Sequence, residues 1–201
     1  MEWNNALKRE QKLKEEKLVF QYETLKNQVN PHFLFNSLNT LSSLVSKDAG
    51  LSEKFIIKLS TIYRYILENQ DVEMVPLKNE IEFVKNYFYL QKIRDDGKID
   101  LSLELPNIET YNILPISLQL LVENALKHNA ATKDSPLKIS ISQTEDYILV
   151  KNNLQPKTQL EPSSKIGLNN LGERVKLVMN KDISVSSSNG IFSVKMPVKS
   201  I

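Results

Sequence analysis

The apolar residues change period at Asp96, and that switch divides the chain into a helical part and a part built on a sheet. Beyond it Ile99, Leu101, Leu103 and Leu105 alternate, as in a strand with one buried face. Leu137, Ile139 and Ile141 alternate again, and Tyr147 to Val150 predicts a further strand. Two helical stretches interleave with these strands. Pro115 opens one that runs to about Asn129, with Leu118, Leu121, Val122 and Ala125 as its core face. The other follows Gly167, with Leu168, Leu171, Val175 and Val178 at helical spacing. Asn189-Gly190 is a strong turn signal and predicts a hairpin over Ile183 to Val198. Strands interleaved with helices and closed by a hairpin imply an α/β sandwich, with helices on one face of a mixed sheet.

Before Asp96 the spacing is helical. Residues 2 to 29 are rich in Lys, Glu and Gln, and Leu18, Tyr22, Leu25 and Val29 form a short heptad seam. A coiled-coil helix fits this pattern, and so does a solvated single helix. Pro31 suits the first turn of a helix, with Asn30 as its cap, and a continuous helix would kink just before His32. Leu34, Leu38, Leu41 and Val45 then make an apolar stripe, while His32, Asn36, Asn39 and Ser43 share the opposite face. A loop around Lys47 to Gly50 leads to a helix over Ser52 to Leu67, with Phe55, Ile56, Leu59, Ile62, Tyr63 and Ile66 on one side. It can fold back on the first helix, and two such hairpins from two chains would make a four-helix bundle. A third helix, Leu77 to Ile93, carries Phe83, Tyr87, Phe88 and Leu90, an aromatic face that reads as packing rather than as a cofactor site.

Composition excludes several classes. The net charge is +2 with acids and bases intermixed, which gives no case for nucleic acid or a strongly anionic surface as main partner. Without cysteine there is no disulfide framework, thiolate catalysis or Cys-based metal site. No apolar run approaches the roughly 20 residues that span a bilayer.

His32 is the first chemical candidate. A neutral imidazole, with an ordinary pKa of about 6.5, keeps a free lone pair near pH 7 and needs less activation than a Ser or Lys. A solvated histidine in a first helical turn is the plain alternative. The run QVNPHFLFN, Gln28 to Asn36, resembles the phosphoacceptor box of the LytS-type sensor histidine kinases, and the resemblance implies His32 as phosphoacceptor. Phe33 stands where many histidine kinases outside this family have an acidic residue. Arg64 and Arg94 match arginine positions of the family, with phosphate contact and surface salt bridges both open to them.

LQLLVENALKHN, Leu118 to Asn129, resembles the N-box of the GHKL ATP-binding fold. The resemblance implies ATP with Mg²⁺: Asn124 as metal ligand through its amide oxygen, Lys127 and His128 at the phosphates, and Glu123 polarising the attacking group or holding a water. Two boxes depart from the family. In YILVKNNL, Asn152 stands at the place of an Asp that accepts from the adenine amino group, and Leu154 at that of a Gly. The amide of Asn152 can still accept from N6 and donate to N1. SSKIGLNNLGERV resembles the glycine-rich lid, but only Gly167 remains, with Ser163 and Lys165 at other glycine places. Gly167 is expected to precede a helix whose N-terminal N–H groups can hold phosphate, with Lys165 adding charge.

The resemblance thus implies an α+β chain in three parts. These are a linker helix over 1–29, a helical dimerisation and phosphoacceptor region over 30–95, and a GHKL-type ATP-binding domain over 96–201. It implies autophosphorylation on His32, transfer to an aspartate of a response regulator receiver domain of the LytTR type, a homodimer, and no direct nucleic-acid contact. It further implies the cytoplasmic portion of an integral inner-membrane protein whose upstream sensor segment lies outside this sequence. The altered Asp and Gly boxes favour another expectation, a dimeric signalling pseudokinase, and a third and weaker one is a GHKL ATPase that phosphorylates or chaperones a separate protein.

Overall fold

The computed structural model describes residues 31–157 and 166–201. The heptad seam of 2–29, Asn30, Ser163 and Lys165 lie outside the described residues. The chain divides into two compact units, one ending at Ile56 and the other covering Ile57–Ile201.

In the first unit, helix α1 (Pro31–Val45) opens the described residues. Its buried positions are Phe33 and Ser37, whereas Leu38 and Val45 of the expected stripe are exposed. Helix α2 (Ala49–Glu68) starts three residues earlier than the apolar pattern suggests. The reason is local: the Asp48 carboxylate accepts from the backbone N–H of Leu51 at 2.8 Å, a side-chain cap that draws Ala49 and Gly50 into the first turn. Phe55, Leu59, Ile62 and Ile66 of α2 are buried, and Ile56 is exposed.

The second unit is α+β. The end of α2 from Ile57 onward runs beside α3 (Leu77–Arg94). Lys58 donates to the Asn86 side chain at 2.7 Å, and the Tyr65 and Phe83 rings stack with centroids 4.3 Å apart. The aromatic face of α3 is core: Phe83, Tyr87, Phe88 and Leu90 are all buried.

A five-stranded sheet has the order β2-β4-β5-β7-β6, from β2 (Ile99–Glu104), β4 (Leu137–Thr144), β5 (Tyr147–Asn153), β6 (Ser184–Ser188) and β7 (Ile191–Pro197). β2 and β4 are parallel, Ile99 opposite Leu137, and the other pairs are antiparallel, so the sheet is mixed. The parallel pair follows from the crossover through α4 (Ser117–His128), since two parallel strands cannot be joined by a hairpin. Leu137, Ile139 and Ile141 of β4 and Ile148 and Val150 of β5 are buried, one face of the sheet. α4 packs on β4 and β5, and α3 on β2 and α4. α5 (Ile166–Met179) packs on α4 through its buried Leu171 and Val175 face. Asn189 and Gly190 close the last hairpin with φ of 51° and 74°, the left-handed pair that this turn requires.

Three features differ from the sequence reading. Pro115 does not open α4: it sits in a turn, Ile116 takes φ 66°, and the helix starts at Ser117. A residue in the left-handed region cannot belong to a right-handed helix, so the break falls there. Gly167 does not precede α5 but lies within its first turn. Finally, β1 (Val75–Pro76), β3 (Tyr111–Ile113) and β8 (Lys199–Ser200) form a separate antiparallel sheet, order β1-β3-β8, that no periodicity announces.

Candidate nucleotide site and phosphoacceptor helix

Helix α4 is the element that collects most of the candidate residues, and its start is held from another helix. Glu80 of α3 is fully buried. Its carboxylate accepts from the Tyr65 hydroxyl at 2.7 Å, from the Ile116 N–H at 3.0 Å and from the Leu118 N–H at 3.0 Å. Burial pushes its pKa from 4.5 up to about 7, while the three donors and the nearby Arg174 charge pull the other way. Tyr65 is raised in turn, by burial first and then by the Glu80 charge and hydrogen bond.

Along α4, Leu118, Leu121, Val122 and Ala125 face the core, as expected. Glu123 and Asn124 are half-buried, Lys127 is exposed and His128 is half-buried. Gln119 donates to the Glu123 carboxylate at 2.7 Å, one turn away. The His128 pKa is lowered from 6.5 by burial, then by the charges of Lys127 and Lys157, so the ring is neutral at pH 7.

The end of α4 is tied to the segment after β5. Asn129, buried, donates through Nδ2 to the Ala125 carbonyl at 2.9 Å and accepts from the Gln155 N–H at 2.8 Å. Ala130 N–H donates to the Gln155 carbonyl at 2.7 Å, and Lys157 N–H to that of His128 at 3.2 Å. The Lys157 ammonium also donates to the Leu126 carbonyl at 2.9 Å. A cation there meets the negative end of the helix.

Asn152 is buried on the same face of β5 as Ile148 and Val150, the face on which the helices lie. Its Nδ2 donates to the Asn153 carbonyl at 2.7 Å. One N–H and the amide oxygen remain for a ligand, the donor and acceptor that the sequence reading asks of it. Its neighbour Asn153 accepts from the Lys138 N–H at 2.8 Å and donates to the Pro136 carbonyl at 3.1 Å, which pins the start of β4. Thus α4 (Glu123, Asn124, Lys127, His128), β5 (Asn152) and α5 (Gly167) belong to one packed unit. Lys165 lies outside the described residues.

A Cβ added at Gly167 would meet nothing within 4 Å, and its φ is helical, so neither close approach nor a left-handed backbone requires glycine there. Among the described residues no group of three or more His, Cys, Asp or Glu side chains could hold a metal. An amide oxygen such as that of Asn124 is a hard ligand of the kind that Mg²⁺ takes beside phosphate and water.

His32 is exposed in the first turn of α1, in the first unit. The Asn36 amide nitrogen lies 3.0 Å from its Nε2 and 3.4 Å from its Nδ1. The amide nitrogen thus lies against both ring nitrogens and selects neither tautomer. Ser43 and Asn39 share the same face, with the Ser43 hydroxyl donating to the Asn39 carbonyl at 3.1 Å.

Sequence reasoning missed Glu80, Gln119, Asn129 and Lys157. Asn129 had a signal, an asparagine just past a helix end. Gln119 lies one turn before Glu123, a spacing that could have been noticed. Glu80 had none: in LKNEIEF it reads as an ordinary acid in a first helical turn.

The family model described as histidine kinase matches residues 20–99, a span that includes His32, Glu80 and Arg94. The sensor protein LytS of Bacillus subtilis (strain 168) is 35% identical over 125 residues, 62% of this chain and 21% of that protein. The sensor histidine kinase BtsS of Escherichia coli (strain K12) is 29% identical over 164 residues, 79% of this chain and 29% of that protein. The chain thus spans less than a third of the length of either relative. A solved structure, the cytoplasmic segment of histidine kinase QseC, is similar at 18% identity over 71% of this chain and 88% of that one, with a TM-score of 0.46. The histidine kinase match across the QVNPHFLFN segment and the likeness to LytS over 62% of this chain together support a LytS-type sensor histidine kinase.

Proposed function

We propose that this chain is the kinase core of a two-component sensor, which phosphorylates itself on His32 from ATP and passes the phosphoryl group to an aspartate of a response regulator. The observation that carries the reading is that the histidine kinase match spans His32, whose imidazole is exposed at the start of α1. Bound ATP with Mg²⁺ supplies the phosphoryl group and a charge that neutralises the phosphates. His32 offers an imidazole lone pair, with the Asn36 amide nitrogen lying 3.0 Å from its Nε2. Asn124 holds the metal through its amide oxygen. Lys127 contributes charge at the phosphates, and neutral His128 contributes an N–H donor. Glu123, oriented by Gln119, polarises the attacking ring. Asn152 accepts from the adenine amino group, and Gly167 and Lys165 belong to the lid.

In this reading residues 30–95 form the dimerisation and phosphoacceptor region and residues 96–201 bind nucleotide. Phe35, Leu38, Val45, Ile56 and Ile57 are exposed apolar side chains on α1 and α2 and fit pairing with a second copy. The regulator carries a LytTR-type domain, and the chain is the cytoplasmic portion of a membrane sensor. No helix among the described residues is long and apolar enough to cross a membrane.

A second reading, a signalling pseudokinase, is favoured by one observation: Asn152, at the place of the family's Asp, spends an N–H on Asn153. Incubation with γ-labelled ATP and Mg²⁺ separates the two. Acid-labile, base-stable label on wild type, absent from His32→Gln and Asn124→Asp, supports the kinase. Nucleotide binding without label supports the pseudokinase, and label that survives in His32→Gln sinks the assignment of His32.

A further inference from the structure

Glu80 has 0% of its surface exposed and lies 38 residues before Leu118 of α4, which donates its N–H to it, as does Ile116 just before that helix. Segments distant in sequence converge on it. Tyr65 comes from the end of α2, Ile116 and Leu118 from the start of α4, and Arg174 from α5, near enough for its charge to act on the carboxylate. The Arg174 guanidinium also donates to the carbonyls of Pro115 and Val72, at 3.4 Å each.

A buried carboxylate is costly, and only charge-assisted hydrogen bonds offset that cost. For stability alone an apolar side chain of similar volume often serves as well. Glu80 does something that an apolar side chain cannot. Ile116 has φ 66°, a left-handed conformation that a β-branched residue rarely adopts unless its surroundings impose it. Its N–H is one of the groups that Glu80 holds. α4 begins at the next residue with no side-chain cap from Ile116 itself. The carboxylate of Glu80 therefore acts as the N-terminal cap from another helix, with its charge at the positive end of α4. The axial position of α4, set at that turn, sets where Glu123, Asn124, Lys127 and His128 stand.

We propose that Glu80 is the positioning residue of the nucleotide site. Its carboxylate fixes the first turn of α4, Tyr65 fixes the carboxylate, and Arg174 holds the Pro115 carbonyl next to that turn. The end of α2 thereby communicates with the residues that bind nucleotide. The inference rests on the nucleotide reading given above.

The test uses the full chain as wild type, Glu80→Gln, Tyr65→Phe and Asn124→Asp. Affinity for Mg·ADP is measured by calorimetry well below the unfolding transition, beside the Tm and the amide hydrogen exchange of α4 without nucleotide. A glutamine offers one acceptor oxygen to three donors and turns its own NH₂ against the others. Glu80→Gln is expected to lose about tenfold or more in affinity, in line with the sensitivity of positioned sites to small displacements. Tyr65→Phe is expected to lose less. Both should exchange faster from Ile116 to Asn124, whereas Asn124→Asp loses affinity with exchange unchanged. Wild-type affinity in Glu80→Gln and Tyr65→Phe with a lowered Tm would mean a merely structural carboxylate and would overturn the proposal. Unchanged exchange along α4 would overturn it too. If Glu80→Gln does not fold, Tyr65→Phe, which removes a single hydroxyl, carries the test. Absence of Mg·ADP binding by wild type would instead refute the nucleotide reading, and the exchange pattern would still decide whether Glu80 fixes α4.

Discussion

Glu80→Gln should remove a pH dependence of stability that the buried carboxylate imposes on the wild type. The carboxyl titrates at about 7 in the folded chain against an ordinary 4.5. Between those values the folded state holds a proton that the unfolded state has released, so stability falls as pH rises through the window. At about 1.4 kcal/mol per pH unit the interval is worth roughly 3 kcal/mol, fully present below pH 4.5 and lost above about 7. The groups facing Glu80 do not titrate there. Tyr65 is raised above its ordinary 10.0 and Arg174 keeps its charge. The assay is urea unfolding of wild type and Glu80→Gln at a series of pH values from acid to slightly alkaline. The difference between the two unfolding free energies cancels the other titrating groups. It should shift toward the glutamine variant by roughly 3 kcal/mol across the window. Parallel pH profiles would refute the reasoning. A difference that moves the other way would show that the three donors and Arg174 outweigh burial.

Three other outcomes follow from the packing. Leu118→Ala, at a position with no exposed surface, should cost ~2–5 kcal/mol by urea unfolding, since the cavity opens under the first turn of α4. Asn129→Ala should cost ~1–3 kcal/mol by leaving the Gln155 N–H without its acceptor, and should speed amide exchange at Gln155. Asn152→Asp sets a carboxylate against the Asn153 carbonyl that the amide now donates to at 2.7 Å. The free protein should lose ~1–3 kcal/mol in urea, while affinity for an adenine nucleotide does not fall; a fall would count against Asn152 at the adenine.

Local periodicity determined a good deal. The change of spacing at Asp96 placed β2, β4 and β5, and the end of α1 and both ends of α3 lay within a residue of the pattern. Asn189-Gly190 announced its hairpin because few residue pairs accept two left-handed conformations in succession. The resemblance of the QVNPHFLFN and LQLLVENALKHN runs to the family's boxes singled out His32 and the polar face of α4 as candidates. What sequence could not show are relations between segments far apart in the chain. The sheet of β1, β3 and β8 joins strands of two or three residues, too short to carry a period, and only the meeting of distant segments makes them strands. Which side of α1 is covered was also beyond the pattern, because Leu38 and Val45 are as apolar as any core residue yet stay exposed. Glu80 is the clearest case. Its residue type and first-turn position are unremarkable in isolation. It matters because folding removes its water and brings Tyr65, Ile116, Leu118 and Arg174 around it, and desolvation acts on a charge through its surroundings in space, whatever the order of residues along the chain.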